Sequence, residues 1–289
     1  MKHCGKSNES EHIHHLCNIC LQQESHSDIE CSECRKGLCC AFKLKNIIGS
    51  FHPNDDMLFK INGEPTSQSY EHYVRVGFSA IVNIEEALGA AEKGFDDISS
   101  CLDVPCGYGR ITRELQTRIN PQRITACELN EEAVQFCHSE FGVNPLVSNT
   151  EFKKINFNRM FDLIWVGSLI THINSIAFLE MLDVLYSVLE DGGILVFTTH
   201  GRYSLERLDK YEIPGLYKNQ VIKSLRKFGY FFAPYQHSKD YGISICLPEH
   251  VLSAINKISG NKLKLLTYKY KGWDNHQDVY AFQRINNEE

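Results

Sequence analysis

LDVPCGYGR, residues 102–110, places two glycines around a tyrosine, with an aspartate four residues before the first of them. CLDV (101–104) reads as a short buried strand. RITRELQTRI (110–119) reads as a helix, ended by Asn120-Pro121. A strand, a glycine turn and a helix in that order hold nucleotide-like ligands at a sheet edge. A dinucleotide turn would carry a third glycine where this chain has Thr112. Asp103, at the strand tip, would repel a pyrophosphate and suits a ligand that carries a positive group.

Outward from this turn, strands alternate with helices. RITACE (123–128) is a second strand, and EEAVQFCHSEF a helix stopped near Gly142. NPLVS is a third, weaker strand. DLIWVG (162–167) is a fourth, apolar without alternation, as expected of a strand covered on both faces. SIAFLEMLDVLYSVL is a helix, Asp191-Gly192-Gly193 turns the chain, and ILVFTTH (194–200) is a fifth strand. EHVLSAINKIS is a further helix, followed by the strands KLKLLTYKY and DVYAFQR. This pattern predicts βαβ units in an α/β, Rossmann-like, doubly wound seven-stranded sheet. Tyr73, Val74, Ile81, Ala87 and Leu88 lie near helical spacing ahead of it, with Gly94 as the expected stop. The expected organisation is a Cys-rich module over 1–45, a linker and helical lid over 46–98, and the main domain over 99–289. Residues 201–247 form an aromatic insert on the substrate side.

Composition limits the function classes. Of 289 residues, 43% are apolar and 23% charged, an ordinary globular mix rather than a disordered one. The net charge of -6 argues against a general nucleic-acid binder. Residues 201–230 run against the total, with seven Lys or Arg to three Asp or Glu, which leaves room for a local basic face. No apolar run is long enough for a membrane span, and the opening MKHCGKSNESEHIHH lacks an apolar core for a secretory signal. Reduced thiols in a cytoplasmic protein are therefore expected.

Glu128 ends the second strand, nineteen residues after Gly109, where a carboxylate can accept from both ribose hydroxyls. S-adenosylmethionine offers a ribose, an ammonium and a sulfonium without a phosphate, which fits Asp103 and Glu128 together. LDVPCGYGR, ACELN, FDLIWVGSLITHI and LEDGGILVFTTHG, in that order, resemble the motif series of class I S-adenosylmethionine-dependent methyltransferases. The resemblance covers roughly residues 70–200 and extends to the last two strands. Pro105 stands where the family's first turn glycine would be, a departure that recurs within it.

The resemblance implies site roles. Asp103 would orient the methionine ammonium, while Pro105, Cys106, Gly107 and Gly109 carry the backbone past the methionine part. Glu128 would hold the ribose with Leu129 against the adenine. Ser148 or Asn149 would neighbour the adenine amine, and Ser168 would line the methyl-transfer side. Methyl transfer is an in-line displacement, so the protein mainly aligns the nucleophile and excludes water. A base is needed when an oxygen or protonated nitrogen attacks. His172 is the first candidate by position and His200 the second, with His237 and His276 behind them. A Thr-His pair at this place can equally brace the following helix.

Tyr203, Tyr211, Tyr217, Phe228, Tyr230, Phe231, Phe232, Tyr235 and Tyr241 crowd the insert, where aromatic faces suit sugars, lipids, planar metabolites or bases. The ending GWDNHQDVYAFQR is similar to methyltransferases that accompany glycan biosynthesis and ranks sugar hydroxyls first. The expected activity is O-methylation of a small molecule or glycan. Two alternatives are an RNA-modifying methyltransferase that grips RNA through the Cys-rich module, and a non-catalytic cofactor-binding partner protein.

Seven of the twelve cysteines precede residue 41. Cys17-x2-Cys20, ten residues, then Cys31-x2-Cys34 can supply four thiolates to a structural zinc. His14, His15, Cys39 and Cys40 are spare ligands. A thiol-rich tail without metal is the other reading.

Overall fold

The computed structural model describes residues 50–59, 66–208 and 217–285. Cys17, Cys20, Cys31 and Cys34 lie outside them. Two units divide between Arg75 and Val76.

In the first unit, the Phe51 ring meets Tyr70 and Tyr73 edge-on at 4.9 and 5.5 Å. The Tyr73 hydroxyl donates to buried Asp55 at 2.6 Å. Helix α1 (Ser67–Ala90) runs from this unit into the next. It stops before Gly94. Glu92 takes the left-handed conformation, φ 57°. Lys93 N–H then bonds to Leu88 O and Glu92 N–H to Gly89 O, satisfying carbonyls of the last turn.

The second unit is built on a seven-stranded sheet of order β3-β2-β1-β4-β5-β9-β8. Its strands are β1 (Cys101–Asp103), β2 (Ile124–Glu128), β3 (Asn144–Val147), β4 (Phe161–Val166), β5 (Leu189–Thr199), β8 (Leu263–Trp273) and β9 (Gln277–Arg284). The first five are parallel, and β9 runs antiparallel between β5 and β8. β6 (Tyr230–Pro234) and β7 (Gly242–Cys246) form a separate antiparallel hairpin. The intervening helices are α2 (Thr112–Leu115), α3 (Glu131–Phe141), α4 (Ser175–Ser187), α5 (Arg202–Glu206), α6 (Lys218–Phe228) and α7 (Pro248–Ser259).

Strand alternation splits the core into two layers. Leu163, Trp165, Ile194 and Val196 face one side with Ile81, Ile84 and Leu88 of α1. Ile164, Val166, Leu195 and Phe197 face the other, with Phe178, Met181, Leu182 and Leu185 of α4. Those four α4 positions recur at helical spacing, and each buried side chain contributes about 1.5–3 kcal/mol. Gly142 stops α3 as the sequence suggests, and the structure adds a cap at its start. The Asn130 side chain accepts from Glu132 N–H at 3.0 Å, and Gly142 closes the helix at φ 69°.

Three expectations change. The helix expected over 110–119 is the single turn α2, followed by looser turns up to Ile119. Its residues Thr112, Arg113, Glu114 and Leu115 are all buried, and the turns that follow it end at Asn120-Pro121. Asp191-Gly192-Gly193 is not a turn between elements but an irregularity inside β5. Phe161 pairs with Leu189 and Leu163 with Ile194, so the extra residues bulge out. The insert also carries more regular structure than its composition suggests. α5, α6 and the hairpin share a small core of Leu208, Val221, Leu225 and Ile245.

Candidate active site at the carboxyl ends of the strands

Register places the carboxylates. Asp103, the last residue of β1, pairs with Ala126 and Trp165, so β2 runs two residues further before it ends at Glu128. Asp103 is fully buried. One carboxylate oxygen accepts from the Thr112 hydroxyl at 2.6 Å, and the other has no hydrogen-bond partner among the described residues. Burial pushes this carboxyl up to about 7, against the downward pull of Thr112, with repulsion from Glu128 adding to the rise. A buried carboxylate oxygen without a partner is costly, about 1–3 kcal/mol or more. A ligand ammonium would satisfy it.

The glycine turn follows. Gly107 lies at φ 52° with open space where a Cβ would stand, so the backbone here can approach a ligand. Its N–H donates to Glu128 Oε2 at 3.0 Å, while Leu129 N–H reaches Oε1 at 2.6 Å. Glu128 thereby ties the turn to the end of β2. Gly109, at φ 81°, answers a different need, because an added Cβ would run into the Phe141 ring of α3. Cys106 is buried, its sulfur 4.0 Å from that of Cys137, and its thiol donates to the Gly107 carbonyl of the turn at 3.3 Å. Tyr108 donates its hydroxyl to Glu132 and accepts from Asn130 Nδ2 at 3.2 Å, pinning the turn to the start of α3.

Leu129 is 55% exposed beside Glu128. Ser148 N–H donates to Glu128 O at 2.8 Å, and Asn149 Oδ1 accepts from Glu151 N–H. Ser168, just past β4, has φ 60°. Its N–H donates to Thr198 Oγ1 at 2.9 Å, and Gln277 Nε2 donates to its hydroxyl at 3.0 Å. Gln277 also accepts from Thr198 Oγ1 at 2.6 Å, so one amide joins the ends of β4, β5 and β9.

Beyond Ser168 stand three imidazoles. His172 lies 6.2 Å from His200, and His200 lies 5.1 Å from His276 (ring centroids). His172 Nδ1 is 2.8 Å from the Gly242 carbonyl, and His200 Nδ1 is 3.1 Å from the Ser244 carbonyl. A carbonyl only accepts, so each neutral ring carries its proton on Nδ1, leaving Nε2 as the basic nitrogen. Tyr241 stacks on His172 at 5.0 Å, and the Tyr235 hydroxyl comes within 3.1 Å of Nδ1. Burial lowers the pKa of His172, opposed by the Gly242 carbonyl. His200 is pushed down to about 3 by burial first and by His276 and His172 after it. Both rings are neutral at pH 7.

Residues 101–193 match the family model described as a methyltransferase domain. The chain carries an S-adenosylmethionine-dependent methyltransferase domain. A malonyl-[acyl-carrier protein] O-methyltransferase of Calditerrivibrio nitroreducens is 26% identical over 190 residues, 64% of this chain and 72% of that one. The fold matches the S-adenosylmethionine-dependent methyltransferase of Clostridium acetobutylicum, with TM-score 0.50 at 16% identity. That alignment covers 86% of this chain and all of the other. CalS10, an amino pentose methyltransferase from Micromonospora echinaspora solved with S-adenosylmethionine bound, aligns with TM-score 0.50 at 13% identity. It covers 75% of this chain and 95% of CalS10. These structural likenesses are likenesses of fold.

Within the methyltransferase domain, the residues singled out by sequence fall into two groups. Asp103, Glu128 and the glycine turn converge through the Glu128–Gly107 bond. Ser168, His172 and His200 gather past β4 and β5, whereas His237 lies in the 235–241 turn of the hairpin. Sequence reasoning passed over Thr112 as Asp103's partner, Gln277 as a brace, and the Gly242 and Ser244 carbonyls. The first had a usable signal, a hydroxyl at the start of the helix after the glycines. Gln277 and the carbonyls act through pairing between distant segments and left none. Among the described residues, no helix is long and apolar enough to cross a membrane, and no group of three or more metal-ligating side chains is present.

Proposed function

We propose that the protein transfers the methyl group of S-adenosylmethionine to a hydroxyl of a small-molecule acceptor, with His172 as the base. Bound S-adenosylmethionine supplies a methyl carbon already activated by its sulfonium. The partnerless oxygen of Asp103 carries this reading, because it is a buried anionic acceptor at the place a methionine ammonium would occupy. Pro105, Cys106, Gly107 and Gly109 give the backbone path past the methionine part, and Gly107 has the open space for it. Glu128 keeps lone pairs for ribose hydroxyls beside its backbone donors, with Leu129 exposed for adenine contact. Ser148 and Asn149 border the adenine end, and Ser168 the methyl end.

The acceptor hydroxyl loses its proton to His172 Nε2 as its oxygen forms the new bond to carbon. The carbon–sulfur pair leaves on sulfur, giving a methyl ether and S-adenosylhomocysteine. Support for His172 over His200 comes from exposure: His200 is 3% exposed and braced behind it. The O-methyltransferase relative fits attack by oxygen, and CalS10 fits a sugar-like acceptor. A structural zinc at Cys17, Cys20, Cys31 and Cys34 and a cytoplasmic location complete the reading. The described cysteines, Cys101, Cys106, Cys127, Cys137 and Cys246, are all free.

The test is calorimetric titration with S-adenosylmethionine, followed by release of S-adenosylhomocysteine across a panel of hydroxyl-bearing acceptors. Binding at submillimolar ligand with turnover on a hydroxyl compound is expected. Absence of binding removes the cofactor reading. Binding with turnover only on amines or carboxylates removes the hydroxyl assignment.

A further inference from the structure

The row of imidazoles ends on a tyrosine ring that carries two cations against it. His276 faces His200 on one side and the edge of Tyr203, of α5, on the other, at 6.0 Å. Lys271 Nζ lies 4.1 Å from the Tyr203 ring centroid, and the Arg207 guanidinium carbon 5.3 Å from it. Arg207 also donates to the Tyr203 hydroxyl at 2.8 Å. Among the described residues, neither Arg207 nor Lys271 forms an ion pair.

These cations are held in place. Lys271 sits at φ 53°, a conformation unusual for a side-chain-bearing residue, and its N–H donates to Asp278 Oδ1 at 2.9 Å. Asp278 is itself buried, with its other oxygen accepting from the Tyr268 hydroxyl at 3.1 Å. Arg207 is fixed by its bond to a residue one helical turn earlier. A lysine and an arginine anchored on one ring lose less freedom on meeting an anion than two solvated side chains would. Burial first lowers the His276 pKa; Asp274 raises it, and Arg207 and Lys271 each lower it, so both cations act on this ring from the Tyr203 side. Among the described residues, Glu206 also lies near, its charge acting on Tyr270.

We propose that Arg207 and Lys271, converging on Tyr203, form an anion-binding subsite for a carboxylate or phosphate group of the methyl acceptor. This rests on the hydroxyl-methylation reading above. His172, at the opposite end of the row, would meet the hydroxyl. The acceptor is then an elongated molecule with a hydroxyl at one end and an anion at the other.

Histidine Cε1–H NMR on the full chain tests it, with inorganic phosphate and acetate titrated separately at constant ionic strength against chloride. A saturable shift of the His276 resonance is expected with at least one anion, half-complete at on the order of 10 mM. The His276 pKa should rise as the anion offsets the two cations. A response to phosphate alone identifies a phosphate ester, and one to acetate alone a carboxylate. The double variant Arg207→Gln, Lys271→Gln should weaken the effect at least about tenfold. No saturable shift with either anion, or an equal shift in the variant, overturns the subsite. S-adenosylmethionine calorimetry on the same samples separates the two readings. Lost cofactor binding in the wild type strikes the methylation reading, whereas an intact His276 response still supports an anion site.

Discussion

Asp103→Asn should weaken S-adenosylmethionine binding and stabilise the free protein, and pH separates the two effects. Burial lifts the Asp103 carboxyl from 3.8 to about 7. Its folded value lies above its unfolded one, so its contribution to stability is present below pH 3.8 and lost as pH rises through 7. Ionising it in the free protein costs as much as about 4 kcal/mol by pH 8. Asparagine keeps an oxygen for the Thr112 hydroxyl and has no charge to bury. The free variant should therefore gain stability over wild type above pH 7 and match it near pH 4, by urea unfolding.

Cofactor binding runs the other way, because the ammonium needs the carboxylate. Wild-type affinity should fall about tenfold per pH unit below 7, close to a hundredfold by pH 5. Binding at pH 7 should release about half a proton, visible as a buffer-dependent calorimetric enthalpy. Glu114 is also lifted to about 7 by burial, so the variant is the needed control. Asp103→Asn should bind at least about tenfold more weakly at pH 8, with a flat profile below it. A flat wild-type profile, or equal slopes in both proteins, refutes the assignment of Asp103 to the ammonium.

Gly109→Ala forces a side chain to φ 81° and into Phe141, and should cost about 2–4 kcal/mol of stability by denaturant unfolding, beyond any effect on the cofactor. His172→Gln should lower kcat by about a hundredfold or more and leave S-adenosylmethionine affinity unchanged. Because burial lowers the His172 pKa, wild-type activity should hold through neutral pH and fall only below the usual histidine range, a limb the variant lacks. Metal analysis of the full chain should find about one zinc, lost on Cys17→Ser with Cys20→Ser, and a chain purified without zinc refutes that reading.

The sheet was legible because its signals are local. Apolar DLIWVG has no polar face, and β4 is covered on both sides. Gly142 announces the end of α3, and its left-handed cap forms. Asp103 and Glu128 could be placed at strand tips because each ends an apolar run before a turn. What escaped depends on distant partners. Asp191-Gly192-Gly193 has turn composition, yet β4 pairs on both sides of it and absorbs it as a bulge. The hairpin was hidden because the aromatic run Tyr230-Phe231-Phe232 lacks clean alternation. Its strands are fixed instead by pairing with Gly242–Cys246 across the 235–241 turn.

That hairpin matters to the chemistry through its backbone. Gly242 and Ser244 stand two residues apart on β7, so their carbonyls point the same way, one to His172 and the other to His200. Both rings are thereby held with Nδ1 protonated, whatever side chains β7 carries. Gly242 is also a steric necessity, since a Cβ there would strike the Ala233 carbonyl of β6. The Ser244 hydroxyl donates to Ile170 O at 2.6 Å, fastening the strand to the segment that bears His172. The insert is therefore more than a wall around an acceptor. It sets which imidazole nitrogen can take a proton, and the aromatic Tyr235 and Tyr241 at its turn close over that same ring.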